Sequence, residues 1–321
     1  MKPIFDEKKL LNLAEKHATQ YQQADPFSYI VIDNFIDEVL LSEVADAFPT
    51  PDQFQFYKYE NPLEKKLAFD QISKLPNPIQ NLLIQLNSSV FLTFLEKLTG
   101  IEGLISDPYY RGGGIHQIVP GGKLDIHIDF NKHQKLKLDR RLNALIYLNK
   151  DWDESYGGWF ELWNGEFKNN KHVLYECKEK VLPIFNRFVV FSTSEKSYHG
   201  HPDQLTCPAN RARQSIATYY YTNGRPQHEN VDAHSTTFIA RPGDDPELDD
   251  LRDKASLIRR DAINRLPELL EELEGNCIAN GIHVHWAKSS DEANSLVLEI
   301  IKKKHTRHVV KGKSMVSEEM G

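Results

Sequence analysis

From about residue 104 to residue 242 the chain breaks into short runs rich in β-branched and aromatic residues, set apart by turn formers, and this texture restricts the fold more than any other feature. The runs are GIHQIV, LDIHIDF, ALIYL, GGWFELW, RFVVFS and SIATYYYT, with PGGK as a turn between the first two. An all-β domain is expected there. Regularly spaced strands of this length build either a sandwich or a barrel of jelly-roll type, and the pattern alone does not choose between them.

The flanks read differently. Residues 7–23 place Leu10, Leu11, Leu13 and Ala14 among charges at helical spacing, Tyr29–Ile32 reads as a strand, and a helix opens at Asp37-Glu38 and stops at Pro49-Thr50-Pro51. Helical spacing then runs through residues 78–99 and closes at Gly100. Beyond a linker at Arg241–Pro246 the pattern predicts helix over 247–275, a strand at 283–287, a helix near 290–303 and a strand at 308–310, a βαβ-like fragment. The expected class is α+β: an N-terminal helical support region (1–103), a β domain (104–242) and a C-terminal α/β appendage (243–321).

Composition narrows the partners. A formal charge of -7 opposes general affinity for nucleic acid or anionic membrane. The N-terminal stretch has no continuous apolar core of a signal peptide, and no run approaches the ~20 apolar residues of a membrane helix. The three cysteines, Cys177, Cys207 and Cys277, include no CxxC pair, so neither a disulfide framework nor an iron–sulfur cluster is expected and a reducing cytoplasm fits best. Lys302-Lys303-Lys304 reads as a solvated helix end.

Two motifs carry chemistry. In LDIHIDF the residues alternate, so His127 and Asp129 project from one face of a strand. Two histidines and one carboxylate make the facial triad of non-haem iron oxygenases, which leaves coordination positions open. The third ligand comes from Ser-Tyr-His-Gly-His-Pro after the RFVVFS strand, where His199 and His201 compete. Alone, HxD is also explained by a satisfied sheet histidine and an Asp in a turn. Fourteen residues after His199, Arg213-Gln-Ser215 opens the last β run, with Arg213 and Ser215 on one face. A guanidinium fork with a hydroxyl two residues on suits the far carboxylate of a dicarboxylic co-substrate, although a surface arginine on a sheet edge is the plainer explanation.

Residues 104–242 resemble the iron(II)- and 2-oxoglutarate-dependent dioxygenases of the prolyl 4-hydroxylase-like superfamily, through PGGKLDIHID, RLNALIYLN, YGGWFELW, NRFVVFSTSEKSYHG and the RxS of RARQSIATYYYT. The resemblance implies a double-stranded β-helix (jelly roll), Fe(II) held by His127, Asp129 and His199, and 2-oxoglutarate held by Arg213 with Ser215. It selects His199 over His201, and Arg213 over Arg211, which lacks the following serine. It also implies O₂ as oxidant, ascorbate as reductant, and hydroxylation of an unactivated C–H bond in a small-molecule or peptidyl substrate, with succinate and CO₂ released. Halogenating relatives lose the carboxylate ligand, whereas Asp129 is intact. Many relatives carry a tyrosine nine residues before the first ligand; here that position is Ile118, so Gln117 or Tyr147 is expected to take over its contact with 2-oxoglutarate. Arg111–Gly114 is a candidate rim, and Tyr109, Tyr110, Trp159 and Trp163 are candidate cleft residues, though strand aromatics also serve as core.

Residues 252–321 are similar to the start of the lactate-utilisation iron–sulfur proteins, but the similarity ends before their cysteine clusters, so a structural module without cluster chemistry is expected. Two other functions fit a two-histidine, one-carboxylate barrel: a non-catalytic cupin-like metal-binding or sensing module, and a zinc hydrolase. The Arg213–Ser215 pair separates the oxygenase from the sensing module. No HExxH-type helix supports the hydrolase.

Overall fold

A computed structural model describes residues 3–310 apart from 53, 170, 245 and 307. The chain divides into two units, Met1–Asp244 and Asp245–Gly321. The first contains α1 (Glu7–Gln22), β1 (Tyr29–Asp33), α2 (Glu38–Asp46), β2 (Tyr57–Asn61), β3 (Glu64–Phe69), α3 (Asn77–Leu86), α4 (Ser89–Thr99) and β4 (Ile105–Ser106). It continues through β5 (Gly114–Ile118), β6 (Lys123–Ile128), β7 (Asp139–Tyr147), β8 (Phe160–Lys168), β9 (Lys171–Val181), β10 (Arg187–Ser192), β11 (Tyr198–His201), β12 (Arg213–Thr222) and β13 (Thr237–Phe238).

These strands form one antiparallel jelly-roll sheet in the order β1-β10-β7-β12-β5-β3-β6-β11-β8-β9, with β2, β4 and β13 paired to its members. It is a double-stranded β-helix with helices attached. Strand alternation gives the layer from β1 to β5 two different faces. Ala144, Ile146, Phe188, Val190, Ile216 and Tyr220 point toward α1–α4 and form the main core with residues such as Leu83 and Phe91. Their neighbours Leu145, Tyr147, Val189 and Phe191 point the other way, into the barrel with Phe160 and Leu162. Apolar contact therefore holds the helices on one side, and the inner face carries this smaller apolar cluster beside polar side chains such as Asn143, Arg213 and Ser215.

Several elements differ from expectation. The helix predicted over 78–99 is two, because Ser88 caps α4 by accepting from Phe91 N and so ends continuity after Leu86. Gly100 closes α4 in the left-handed region, as its position predicts. The first hundred residues are woven into the sheet: β1 pairs with β10, and β3 bridges β5 and β6. The β2–β3 hairpin and the edge strand β9 escape the sequence pattern because both are rich in Lys and Glu and only partly buried, a composition typical of guarded edges.

The second unit holds α5 (Pro246–Asn264), α6 (Leu266–Ala279) and α7 (Ser290–Lys303). The strands predicted at 283–287 and 308–310 do not form. A strand needs a hydrogen-bonded neighbour, and none is present among the described residues of this unit. Residues 311–321, the end of the lactate-utilisation resemblance, lie outside the described residues.

Phe188 is fully buried and stacks on Phe35 with ring centroids 4.1 Å apart, joining β10 to the helical layer. Phe188→Ala is expected to lower the stability of the first unit by about 3–5 kcal/mol, read as a shift of its denaturant midpoint.

Candidate metal centre

β6 and β11 are adjacent and antiparallel, with His127 directly opposite His199. Gly200 makes the close approach possible. A Cβ there would lie 2.8 Å from the carbonyl oxygens of both Leu124 and Asp125. The two imidazole centroids are 4.4 Å apart. Asp129 follows one residue beyond the end of β6, with Oδ1 3.8 Å from His127 Nε2 and Oδ2 3.3 Å from His199 Nε2.

Both rings are oriented by the same device. Nδ1 of His127 lies 2.8 Å from the carbonyl oxygen of Asp125, and Nδ1 of His199 lies 2.7 Å from that of Ser197. A carbonyl can only accept, so each Nδ1 carries a proton and each Nε2 faces Asp129. Burial, reinforced by His199, pushes His127 down to about 3, so its ring stays neutral. Burial alone would raise Asp129, but Arg140 and then the histidines override it and hold the carboxyl well below the usual range. Two imidazole nitrogens and an ionised carboxylate within 4.8 Å of one another are a donor set that fits a divalent metal. Bonds of about 2.1 Å meeting near right angles span about 3 Å between ligand atoms, close to the distances found.

Asp129 is held from β7. Asn143 Nδ2 donates to Asp129 Oδ2 at 2.8 Å, Arg140 Nη2 lies 3.4 Å from the same oxygen, and Arg140 Nε donates to Asn143 Oδ1. The Arg140 guanidinium lies 3.6 Å from the Tyr219 ring centroid and 4.4 Å from that of Phe130.

A second cluster sits on the same inner face. β12 pairs with β7 so that Ser215 is opposite Tyr147 and Tyr219 opposite Asn143. Arg213 is buried, donates from Nε to the Gly158 carbonyl at 2.8 Å, and lies 3.2 Å through Nη2 from the Tyr147 hydroxyl. No carboxylate among the described residues forms an ion pair with it, and burial pulls its pKa down from the ordinary value. Arg211 instead donates outward to the Lys150 carbonyl.

Gln117 lies elsewhere. β5 places Ile118 opposite Arg213 and His116 opposite Ser215, whereas Gln117 is opposite Gln214, on the face turned away from the barrel. Of the two side chains expected to take over beside Ile118, Tyr147 adjoins Arg213 and Gln117 does not. His116, which sequence reasoning passed over, faces inward and brings Nε2 to 3.0 Å from the Gly112 carbonyl. Its inward direction follows from strand parity once the register is known.

A cleft of about 1100 Å³ opens over His127 and Asp129. Tyr57 and Tyr59 of the unforeseen hairpin form one wall, and Phe130, Tyr219 and Phe238 contribute elsewhere. Arg111 and Gly112 of the expected rim also line it. The expected cleft aromatics serve other purposes: Tyr110 is core and donates to the Leu83 carbonyl, Trp163 donates to Glu161, and Tyr109 sits beneath the Lys135 ammonium.

Residues 113–221 match the 2OG-Fe(II) oxygenase superfamily. This is the segment that carries His127, Asp129, His199 and Arg213. Residues 270–321 match the LUD domain. Among curated proteins, the chain is 39% identical over 70 residues to the "Uncharacterized electron transport protein YkgF" of Escherichia coli (strain K12), and 38% identical over 72 residues to lactate utilization protein B of Bacillus velezensis. Each match spans 22% of this chain and only 15% of the relative. Among solved structures, a Pseudomonas putida prolyl-4-hydroxylase aligns over 67% of this chain and all of its own, at 16% identity and a TM-score of 0.45. The epimerase SnoN from nogalamycin biosynthesis aligns over 72% of this chain and 96% of its own, at 11% identity and a TM-score of 0.46.

Asn143 contacts no histidine of the triad, yet it fixes the orientation of the carboxylate. Asn143→Ala is expected to weaken divalent metal binding about 10–100-fold while leaving the fold intact, measured by metal titration alongside circular dichroism.

Proposed function

We propose that the first unit is an Fe(II)- and 2-oxoglutarate-dependent oxygenase that hydroxylates an unactivated C–H bond. The observation that carries this reading is a buried arginine with no carboxylate partner among the described residues, on the same inner face of the barrel as a cluster of two histidines and one carboxylate. A buried unpaired charge is costly, and such a group is retained where an anion arrives to meet it. His127, Asp129 and His199 would hold Fe(II), which, with O₂ and 2-oxoglutarate, supplies C–H oxidation accompanied by release of succinate and CO₂.

The residues divide the work. Arg213 offers a planar fork to the far carboxylate of the co-substrate, with Tyr147 and Ser215 beside it. Gly158 fixes the guanidinium from behind, and a Cβ at that position would lie 2.9 Å from Arg213 Cδ. Asn143 and Arg140 keep Asp129 ionised and aimed at the metal position. The retained carboxylate ligand favours hydroxylation over halogenation. The aromatic walls of the cleft admit a small molecule or a peptide segment, and ascorbate belongs to this reading as the external reductant. Among the described residues no helix is long and apolar enough to cross a membrane.

The test is conversion of 2-oxoglutarate to succinate by anaerobically Fe(II)-loaded protein after O₂ is admitted with ascorbate. Turnover is expected to require iron and to vanish in His199→Ala. Arg213→Met should weaken 2-oxoglutarate binding by about a hundredfold or more while metal binding persists. Metal binding with neither turnover nor 2-oxoglutarate binding in the native protein would instead favour a non-catalytic metal-sensing module.

A further inference from the structure

His201 closes β11 two residues after His199 and is 3% exposed. Neither of its ring nitrogens has a hydrogen-bond partner on another residue, its own main chain being the one polar group beside it, and no other described side chain leaves two polar atoms unpaired in this way. Buried polar groups are almost always satisfied, so an imidazole enclosed with both nitrogens idle destabilises the ligand-free protein and signals a partner that arrives from outside the chain. The orphan atoms of Arg140 and His133 are different, because those side chains hold other polar contacts at Asn143, Lys135 and Asp107.

The backbone aims the ring inward. Tyr198, on the opposite parity to His199, packs outside the barrel with Ile126 and Ile128. The register shifts between His199 and His201, which sets His201 opposite Leu124, a residue that lines the same cleft as His127. Arg213, Lys66 and His127 are the charged and titratable groups within electrostatic reach of the ring. The imidazole is thus close enough to both Arg213 and His127 to feel their charge.

We propose that His201 is a co-substrate-binding residue, donating a ring N–H to a carboxylate oxygen of 2-oxoglutarate as that molecule spans the metal site and Arg213. This assignment rests on the oxygenase reading given above. An imidazole always presents at least one N–H, so the contact needs no change in protonation.

Binding of 2-oxoglutarate to the full chain loaded with Mn(II), which allows binding to be measured by anaerobic calorimetry without turnover, tests the assignment. Equal metal stoichiometry in every variant separates it from damage to His199. His201→Leu is expected to raise the Kd for 2-oxoglutarate about 10–100-fold, and His201→Gln, which keeps a donor, to recover much of that loss. The melting temperature without co-substrate should be unchanged or higher in the leucine variant, because an unsatisfied buried group is gone, while the rise on adding 2-oxoglutarate shrinks. If His201→Leu does not accumulate as folded protein, His201→Phe carries the same comparison. A leucine or phenylalanine variant that binds 2-oxoglutarate within twofold of the native protein overturns the assignment and leaves the oxygenase reading standing. Native protein that takes up Mn(II) but no 2-oxoglutarate overturns both.

Discussion

The direct pairing of His127 with His199 across β6 and β11 is the contact on which the chamber depends. Two imidazoles meet at 4.4 Å because two strands approach without a side chain between them, and Gly200 provides that room. Hydrogen bonds from each Nδ1 to a carbonyl two residues earlier then fix both rings through their own strands. The two imidazoles are consequently tied to the sheet itself. Asp129 is different. It stands past the last ladder residue of β6, and its orientation comes from side chains of β7, Asn143 and Arg140.

The two buried arginines show how one fold uses the same residue in opposite ways. Arg140, 1% exposed, has an anion at hand, and its proximity to Asp129 and the Tyr219 face offsets the cost of removing a guanidinium from water. Arg213 has a carbonyl and a phenol hydroxyl but no carboxylate among the described residues. Neutral partners satisfy hydrogen bonds without cancelling charge. The first arginine is paired within the chain, and the second is left without a counter-charge among the described residues.

What the sequence disclosed follows from which interactions are local. Alternation within LDIHIDF is a property of one strand, so the shared direction of His127 and Asp129 was readable, and the same holds for Arg213 and Ser215. Long-range placement of Arg213 beside Tyr147 depends on how β7 and β12 pair, and only the resemblance pointed there. Gln117 shows the failure that register produces: a shift of one residue along β5 exchanges the barrel face for the outer face, and Ile118 and His116 occupy the inner positions. The β2–β3 hairpin was hidden because β2 is wholly exposed and β3 opens on Glu-Lys-Lys before its short apolar end, so no apolar period marks them. Residues 283–287 failed in the opposite sense, since HVHWA has strand-like composition but no neighbour to pair with.

The hairpin matters for more than completeness of the fold. β3 bridges β5 and β6, so it closes the sheet between the strand that carries His116 and the strand that carries His127. Tyr57 and Tyr59 on its partner β2 stand at the cleft, while Lys66 and Ala68 of β3 line it nearer the sheet. Among the described residues β2 pairs with β3 alone, so its side chains can vary without disturbing the ladder that positions His127 and His199. The outer wall of the cleft is thereby separated from the geometry of the His127–Asp129–His199 cluster. The exposed hairpin is free to change chemistry at Tyr57 and Tyr59, whereas β6 and β11 are held by Gly200 and by the opposed histidines.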